Sequence, residues 1–127
     1  MTRNTHQKQI VLETVTRLGT HPTADAVYAH VKAAIPSISR ATVFRILNQF
    51  AQEGKLQKIR NPDAADNFDH RLDHHYHVLC TQCGHVDDVD CPVQDELYRR
   101  VRSCADYTLT GHDVLFYGLC PTCRAPE

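Results

Sequence analysis

The chain has 127 residues, with 14 Lys and Arg against 15 Asp and Glu, nine His and six Cys. That length suits one ordinary domain, or two small ones that share stability. With no signal peptide and no long apolar run, a cytoplasmic protein is expected rather than a membrane-bound or exported one. Charge is balanced overall but divided along the chain. Residues 1–60 hold nine Lys and Arg against Glu13, Asp25 and Glu53, whereas residues 61–127 hold five basic and twelve acidic groups. Such a split predicts a basic module that meets a polyanion and an acidic module with another task. All six Cys lie in the second half, and in a reducing compartment paired Cys more often ligate metal than form disulfides.

In chain order, residues 6–18 read as a helix, with Ile10, Val11, Val15 and Leu18 on one face and Gly19 as a stop. His21-Pro22 is a turn. Thr23 caps a second helix over 24–34, with Asp25 in its first turn and Val27, Val31 and Ala34 buried. Ser39 caps a third, ending near Glu53-Gly54, with Val43, Ile46, Leu47 and Phe50 inward. Residues 55–60, 61–66 and 67–70 then read as strand, turn and strand. Three helices and a hairpin, all net basic, outline a winged helix-turn-helix. Residues 39–53 would be the recognition helix, turning Arg40, Thr42, Arg45, Asn48 and Gln49 outward toward phosphates and base edges. A generic three-helix core with solvated charges is the competing reading, and the charge split favours DNA.

From Asn67 to Asp90 the chain interleaves His70, His74, His75, His77 and His85 with Asp69, Asp73, Asp87, Asp88 and Asp90, around a Cys80-x-x-Cys83 pair. Thiolates favour zinc, while a mixed imidazole and carboxylate set suits a harder first-row ion. Two metal sites of different character are expected, against the plainer reading of a polar His-rich loop. Strands over 76–79 and 85–89 flank the first Cys pair, whose Gly84 relieves the turn. Pro92 opens a helix whose Val93, Leu97, Val101 and Cys104 form one apolar stripe, with Cys104 expected as a buried thiol. Strands over 107–109 and 114–119 follow, and Cys120-x-x-Cys123 closes the chain. The two pairs can bring Cys80, Cys83, Cys120 and Cys123 to one zinc per chain, and four thiolates leave no open position, so that zinc would be structural. His30, His70 and His85 read as surface histidines. The fold class is α+β.

HPTAD at 21–25, SRATVFRIL at 39–47, NFD at 67–69, HYHVLCTQCG at 75–84 and YGLCPTC at 117–123 together resemble the ferric uptake regulator (Fur) family, in order and spacing over nearly the whole chain. The resemblance implies a homodimeric, metal-dependent transcriptional repressor: a winged-helix DNA-binding domain over 1–69, a hinge over 70–74, and an α/β dimerisation domain with the four-cysteine zinc site over 75–127. It implies a regulatory metal, Fe(II) or Mn(II), one per chain, on His21, Asp69, His75, His77 and Asp88. It also implies that Phe44 stands where a tyrosine is commonly used on DNA, so that Arg40, Thr42, Phe44 and Arg45 would meet a palindromic A·T-rich operator. Iron-sensing members typically carry Glu at the positions of Asp69 and Asp88, whereas the peroxide-sensing PerR branch carries Asp at both. Tyr76, in an aspartate position of the iron sensors, also resembles PerR. Arg45 looks more like the iron sensors, and zinc or manganese sensors are a third match. The family's usual extra N-terminal helix has no counterpart here, and its TPQR reads Thr5-His6-Gln7-Lys8.

The mechanism follows from the ligands. Metal shared by His21 and the later ligands would set the spacing of two recognition helices on their half-sites. Three imidazoles and two carboxylates suit Fe(II) or Mn(II) and leave an octahedral ion one position for hydrogen peroxide. Oxidation of His21 or His75 would then release the metal. Two other classes compete poorly. A zinc deaminase needs an H-x-E, which the chain lacks, so no enzyme activity is expected, and a zinc-ribbon adaptor leaves the basic half unexplained.

Overall fold

The structure is a computed structural model that describes residues 2–62 and 64–125. It divides into two compact units, one ending at Leu72 and the other beginning at Asp73.

The first unit is built on α1 (Arg3–Leu18), α2 (Ala24–Ala34) and α3 (Arg40–Gln52), followed by the strands β1 (Gln57–Ile59) and β2 (Asn67–Asp69). Each helix starts where a hydroxyl replaces the missing backbone acceptor. The Thr2, Thr23 and Ser39 side chains accept the N–H of Thr5, Ala26 and Thr42. The Thr2 cap explains why α1 starts at Arg3, ahead of the expected His6. Gly19 ends α1 at φ 62°, and its N–H donates to the Val15 carbonyl. The inward faces meet in one core of Val11, Val15, Val27, Val31, Ile38, Val43, Ile46, Leu47 and Phe50, closed by Leu56 and Phe68 from the hairpin. β1 and β2 pair antiparallel, with Lys58 opposite Phe68. This is a winged helix-turn-helix, with α3 as the second helix of the pair and the hairpin as the wing.

The second unit is a three-stranded sheet of β3 (Tyr76–Cys80), β4 (Val86–Val89) and β5 (Leu115–Gly118) in the order β4-β3-β5, with α4 (Asp95–Cys104) in the crossover to β5. β4 runs antiparallel to β3, with Asp88 opposite His77, and β5 runs parallel, with Gly118 opposite Cys80. Its buried apolar residues are few: Tyr76, Leu79, Cys80 and Val86.

Three expectations fail in this unit. The helix starts at Asp95, not at Pro92, and the Gln94 N–H is taken by the Tyr76 hydroxyl at 2.9 Å. No strand forms over 107–109: Tyr98 donates its hydroxyl to the Leu109 carbonyl, and Tyr107 is exposed. Cys104 is exposed rather than buried, because α4 buries none of its residues. Its apolar stripe is present but bare, with Leu97 54% and Val101 42% exposed. Among the described residues, no helix is long and apolar enough to cross a membrane.

The core of the first unit generates a stability prediction. Leu47 is fully buried, so Leu47→Ala should cost about 2–5 kcal/mol in chemical denaturation of that unit. A loss below ~1 kcal/mol would show that the three helices close over the cavity.

Candidate metal centres and nucleic-acid interface

The sulfur cluster follows from sheet register. Cys80 ends β3, and Cys120 follows β5 by two residues. Because Cys80 pairs with Gly118 in a parallel ladder, both strands deliver their Cys-x-x-Cys turns at the same end. The Thr81 N–H donates to the Gly118 carbonyl at 2.9 Å and locks the two ends together. The first turn closes through the Gly84 N–H to the Cys80 carbonyl, with Gly84 at φ 80°, a conformation that costs glycine little. The second closes through the N–H of Cys123 and Arg124 to the Cys120 carbonyl. All four Sγ atoms lie within 4.8 Å of one another, and Cys83 and Cys120 are 3.9 Å apart. Tetrahedral zinc with Zn–S near 2.3 Å needs about 3.8 Å between sulfurs, so the donor set and its spacing fit that ion. Cys91 and Cys104 stand outside the cluster, and both are exposed.

Cys80, Cys83 and Cys123 depart from the ordinary thiol in different directions. The N–H of Cys83, then that of Cys120, hold the Cys80 thiol down to about 6. Cys123 is pushed up to about 12, first by its hydrogen bond with the Cys120 sulfur and then by desolvation. At Cys83 the His85 N–H pulls downward, but the Cys80 sulfur and desolvation outweigh it and the thiol is raised.

The candidate nitrogen and oxygen ligands come from both units. In the first unit, His21 Nε2 lies 3.2 Å from Asp69 Oδ2, with both side chains buried. His21 is the one non-glycine residue among those described with a positive φ, 55°, although it precedes a proline, which normally drives its neighbour to extended backbone. Its turn is stitched to β2: Asn67 Nδ2 donates to the His21 carbonyl at 2.7 Å, and the Phe68 N–H to the Pro22 carbonyl at 2.9 Å. Asp69 Oδ1 accepts the Arg71 N–H at 3.0 Å.

In the second unit, His75, His77 and Asp88 present donor atoms within 4.8 Å of one another. Alternation puts His75 and His77 on one face, and the β3–β4 register sets Asp88 opposite His77. Asp88 Oδ1 lies 2.9 Å from His75 Nε2 and 3.4 Å from His77 Nε2. His75 Nδ1 donates to the Asp73 carbonyl at 2.6 Å. That bond spends Nδ1 and turns Nε2 toward the carboxylate, the orientation a metal-ligating imidazole needs. Two imidazoles with a carboxylate, and an imidazole with a carboxylate, are donors for Fe(II), Mn(II) or zinc.

His30, His70 and His85 are exposed, and His85 pairs with Asp87 at 2.9 Å. Beside the ligands lies an aromatic cluster that the sequence pattern does not reveal: the Tyr76 hydroxyl is 2.9 Å from His112 Nε2, and His74 packs edge-on to His112.

On the nucleic-acid side, Arg40 and Arg45 are exposed on α3, whereas Thr42 and Phe44 are half-buried. The Thr42 hydroxyl is 2.8 Å from that of Ser39 in the cap, and Phe44 packs against the core. Lys58 on the wing donates to Asn48 on α3 at 2.8 Å and lies 3.5 Å from Asp66. The wing is therefore tied to α3, with a cation at the joint.

A winged helix together with a four-cysteine cluster and a set of His and Asp donors is the outline of a metal-responsive DNA-binding protein. The model of the Ferric uptake regulator family matches residues 1–117, and the chain belongs to that family. A peroxide-responsive repressor, PerR, of Staphylococcus saprophyticus is 35% identical over 96% of this chain and 82% of its own length. Among solved structures, a Campylobacter jejuni peroxide stress regulator superposes with a TM-score of 0.76 at 27% identity, over 95% of this chain and 91% of its own. The Helicobacter pylori ferric uptake regulator gives 0.80 at 22% identity, over 96% and 82%, a likeness of fold.

The thiol ionisation generates the second prediction. Cys80 ionises below the ordinary thiol range, while Cys83 and Cys123 are held above it and keep protons that a zinc ion must displace. Zinc loading should release protons to an indicator dye, and apparent affinity should fall as pH is lowered. Cys80→Ser should lose both the zinc and the folded second unit. A stable, zinc-free second unit in that variant would contradict the fit.

Proposed function

We infer that the chain is a dimeric, metal-dependent DNA-binding repressor that responds to hydrogen peroxide, and that it is not an enzyme. The observation that carries this reading is the donor set: His21 with Asp69, and His75 and His77 with Asp88. Those five residues are proposed to hold one Fe(II) or Mn(II) per chain, with one zinc on the four sulfurs. Aspartate, not glutamate, at both carboxylate positions favours the peroxide-responsive branch, and so do the staphylococcal relatives named for that response.

The chain's own residues do the following. The Asp73 carbonyl holds the Nδ1 proton of His75, so Nε2 is its ligating atom. Asp69 and Asp88 supply the negative charge that neutralises a dication. His21 and Asp69 are fixed by a turn and a strand of the winged helix itself, so a metal they shared with His75, His77 and Asp88 would set the spacing of two DNA-binding halves. Fe(II) held by His21, Asp69, His75, His77 and Asp88 would supply one-electron chemistry toward peroxide, which Mn(II) would not. In the net reaction peroxide gives one oxygen atom to an imidazole ring and leaves the other as water. The modified ring would be a poor ligand, so metal and spacing would be lost together.

For the dimer, α4 and β5 offer the surface. Leu97 and Val101 on α4 are bare, and on β5, an edge of the sheet, Phe116 is 49% and Tyr117 57% exposed. Bare apolar surface of this kind marks an interface, and a second copy covers it in this reading. The partner is double-stranded DNA with a palindromic, A·T-rich operator, contacted by Arg40, Thr42, Phe44 and Arg45, and the protein acts in the cytoplasm. An iron-responsive repressor is the second reading, favoured by Arg45.

Peptide mapping of the Fe(II)-loaded protein after hydrogen peroxide should find one added oxygen atom on His21 or His75, with loss of DNA retention, and the Mn(II) form should resist. Oxidation confined to Cys91 or Cys104 would make the protein a thiol switch. No oxidation at all would leave the iron-responsive reading.

A further inference from the structure

Arg40 opens α3, and an arginine there runs against the helix dipole, whose N-terminal end favours anions. α3 has no acidic residue in its first turn. The compensating charge comes from α2: Asp25 accepts from Arg40 Nε at 2.7 Å and from Nη2 at 3.0 Å. The guanidinium carbon also lies 5.0 Å from the centroid of the Phe44 ring, so the plane is held at an edge and over a ring. Both charged side chains are more than half exposed, 61% and 56%, and an ion pair so wet adds little stability.

The geometry has another use. Side-on pairing takes Nε and the inner N–H of Nη2. It leaves the end-on fork, Nη1 with the outer N–H of Nη2, directed away from Asp25. That fork is the edge that matches O6 and N7 of guanine. An arginine already fixed by a carboxylate and a ring loses less freedom when it docks.

We propose that Asp25 is a specificity-determining positioning residue, holding Arg40 so that the first turn of α3 reads a guanine at one position of each operator half-site. This rests on the DNA-binding reading above and deepens it, because a residue of α2 then sets what α3 recognises. Its carboxylate also repels phosphates, so it weakens non-cognate binding while sharpening the cognate contact.

The test is sequence selection from a randomised duplex library by the full-length protein loaded with zinc and Mn(II), run beside Asp25→Asn, Asp25→Glu, Arg40→Ala and Asp25→Asn/Arg40→Ala. The wild type should enrich guanine at one half-site position. Asp25→Asn should lower that preference about tenfold and bind the unselected library more tightly, with an unchanged thermal midpoint. Asp25→Glu should keep most of the preference. Once Arg40 is Ala, Asp25→Asn should change nothing at that position. An unchanged guanine preference in Asp25→Asn, or an equal effect without Arg40, overturns the proposal. So does a loss spread evenly over all sequences, which would make Arg40 a phosphate contact. A wild type that enriches no sequence overturns the DNA reading itself, and the role of Asp25 with it.

Discussion

The pairing register of one strand, β3, fixes most of the chemistry in the second unit. Antiparallel pairing sets Asp88 opposite His77, and alternation puts His75 on the same face, so one carboxylate stands against two imidazoles. Parallel pairing sets Gly118 opposite Cys80, which brings the two Cys turns to one end of the sheet. A slip of one residue would turn His75 and His77 to the other face and part the sulfurs. The unit has few buried apolar side chains to enforce that register. A zinc ion on the four sulfurs would add what the core lacks, because a small domain with little apolar burial needs a metal, a crosslink or a partner.

The first unit stands on different physics. Its core is a closed cluster, mostly of branched aliphatics, between three capped helices. What it adds for function is a tight local arrangement at His21. The residue sits in the left-handed region before a proline, a conformation of order 1–3 kcal/mol above the ordinary wells. Asn67 and the Phe68 N–H hold that turn against β2, on which Asp69 also lies. Strain and two buried polar side chains are thus placed together at the end of the wing, and a metal bound there would offset both.

Periodicity and capping made the first unit legible from residues alone. Val11, Val15, Val27, Val43, Ile46 and Leu47 face inward as their spacing requires, and Thr23 and Ser39 cap where they were expected to, whereas Ala34, expected inside, is exposed in the last turn of α2. The sulfur cluster was legible because two Cys-x-x-Cys pairs have few other uses in one chain. The stripe on α4 was legible as a pattern but not as a core: Leu97, Val101 and Cys104 have helical spacing, yet all three stay exposed. A pattern reports that a face is apolar, not which molecule buries it. The Asp25–Arg40 pair, the Lys58–Asn48 bond and the Tyr76–His112 contact join residues that only the tertiary fold brings near each other, and no local signal marks them.

Whether one regulatory ion draws ligands from both units is decided by Mn(II) titration of the zinc-loaded chain, comparing the wild type with His21→Ala and His77→Ala. A shared ion predicts one Mn(II) per chain and a loss in both variants larger than the roughly 10–100-fold that removal of an outer-shell partner costs. If His77→Ala abolishes binding while His21→Ala leaves the affinity unchanged, the ion belongs to the second unit alone and cannot set the spacing of the DNA-binding halves.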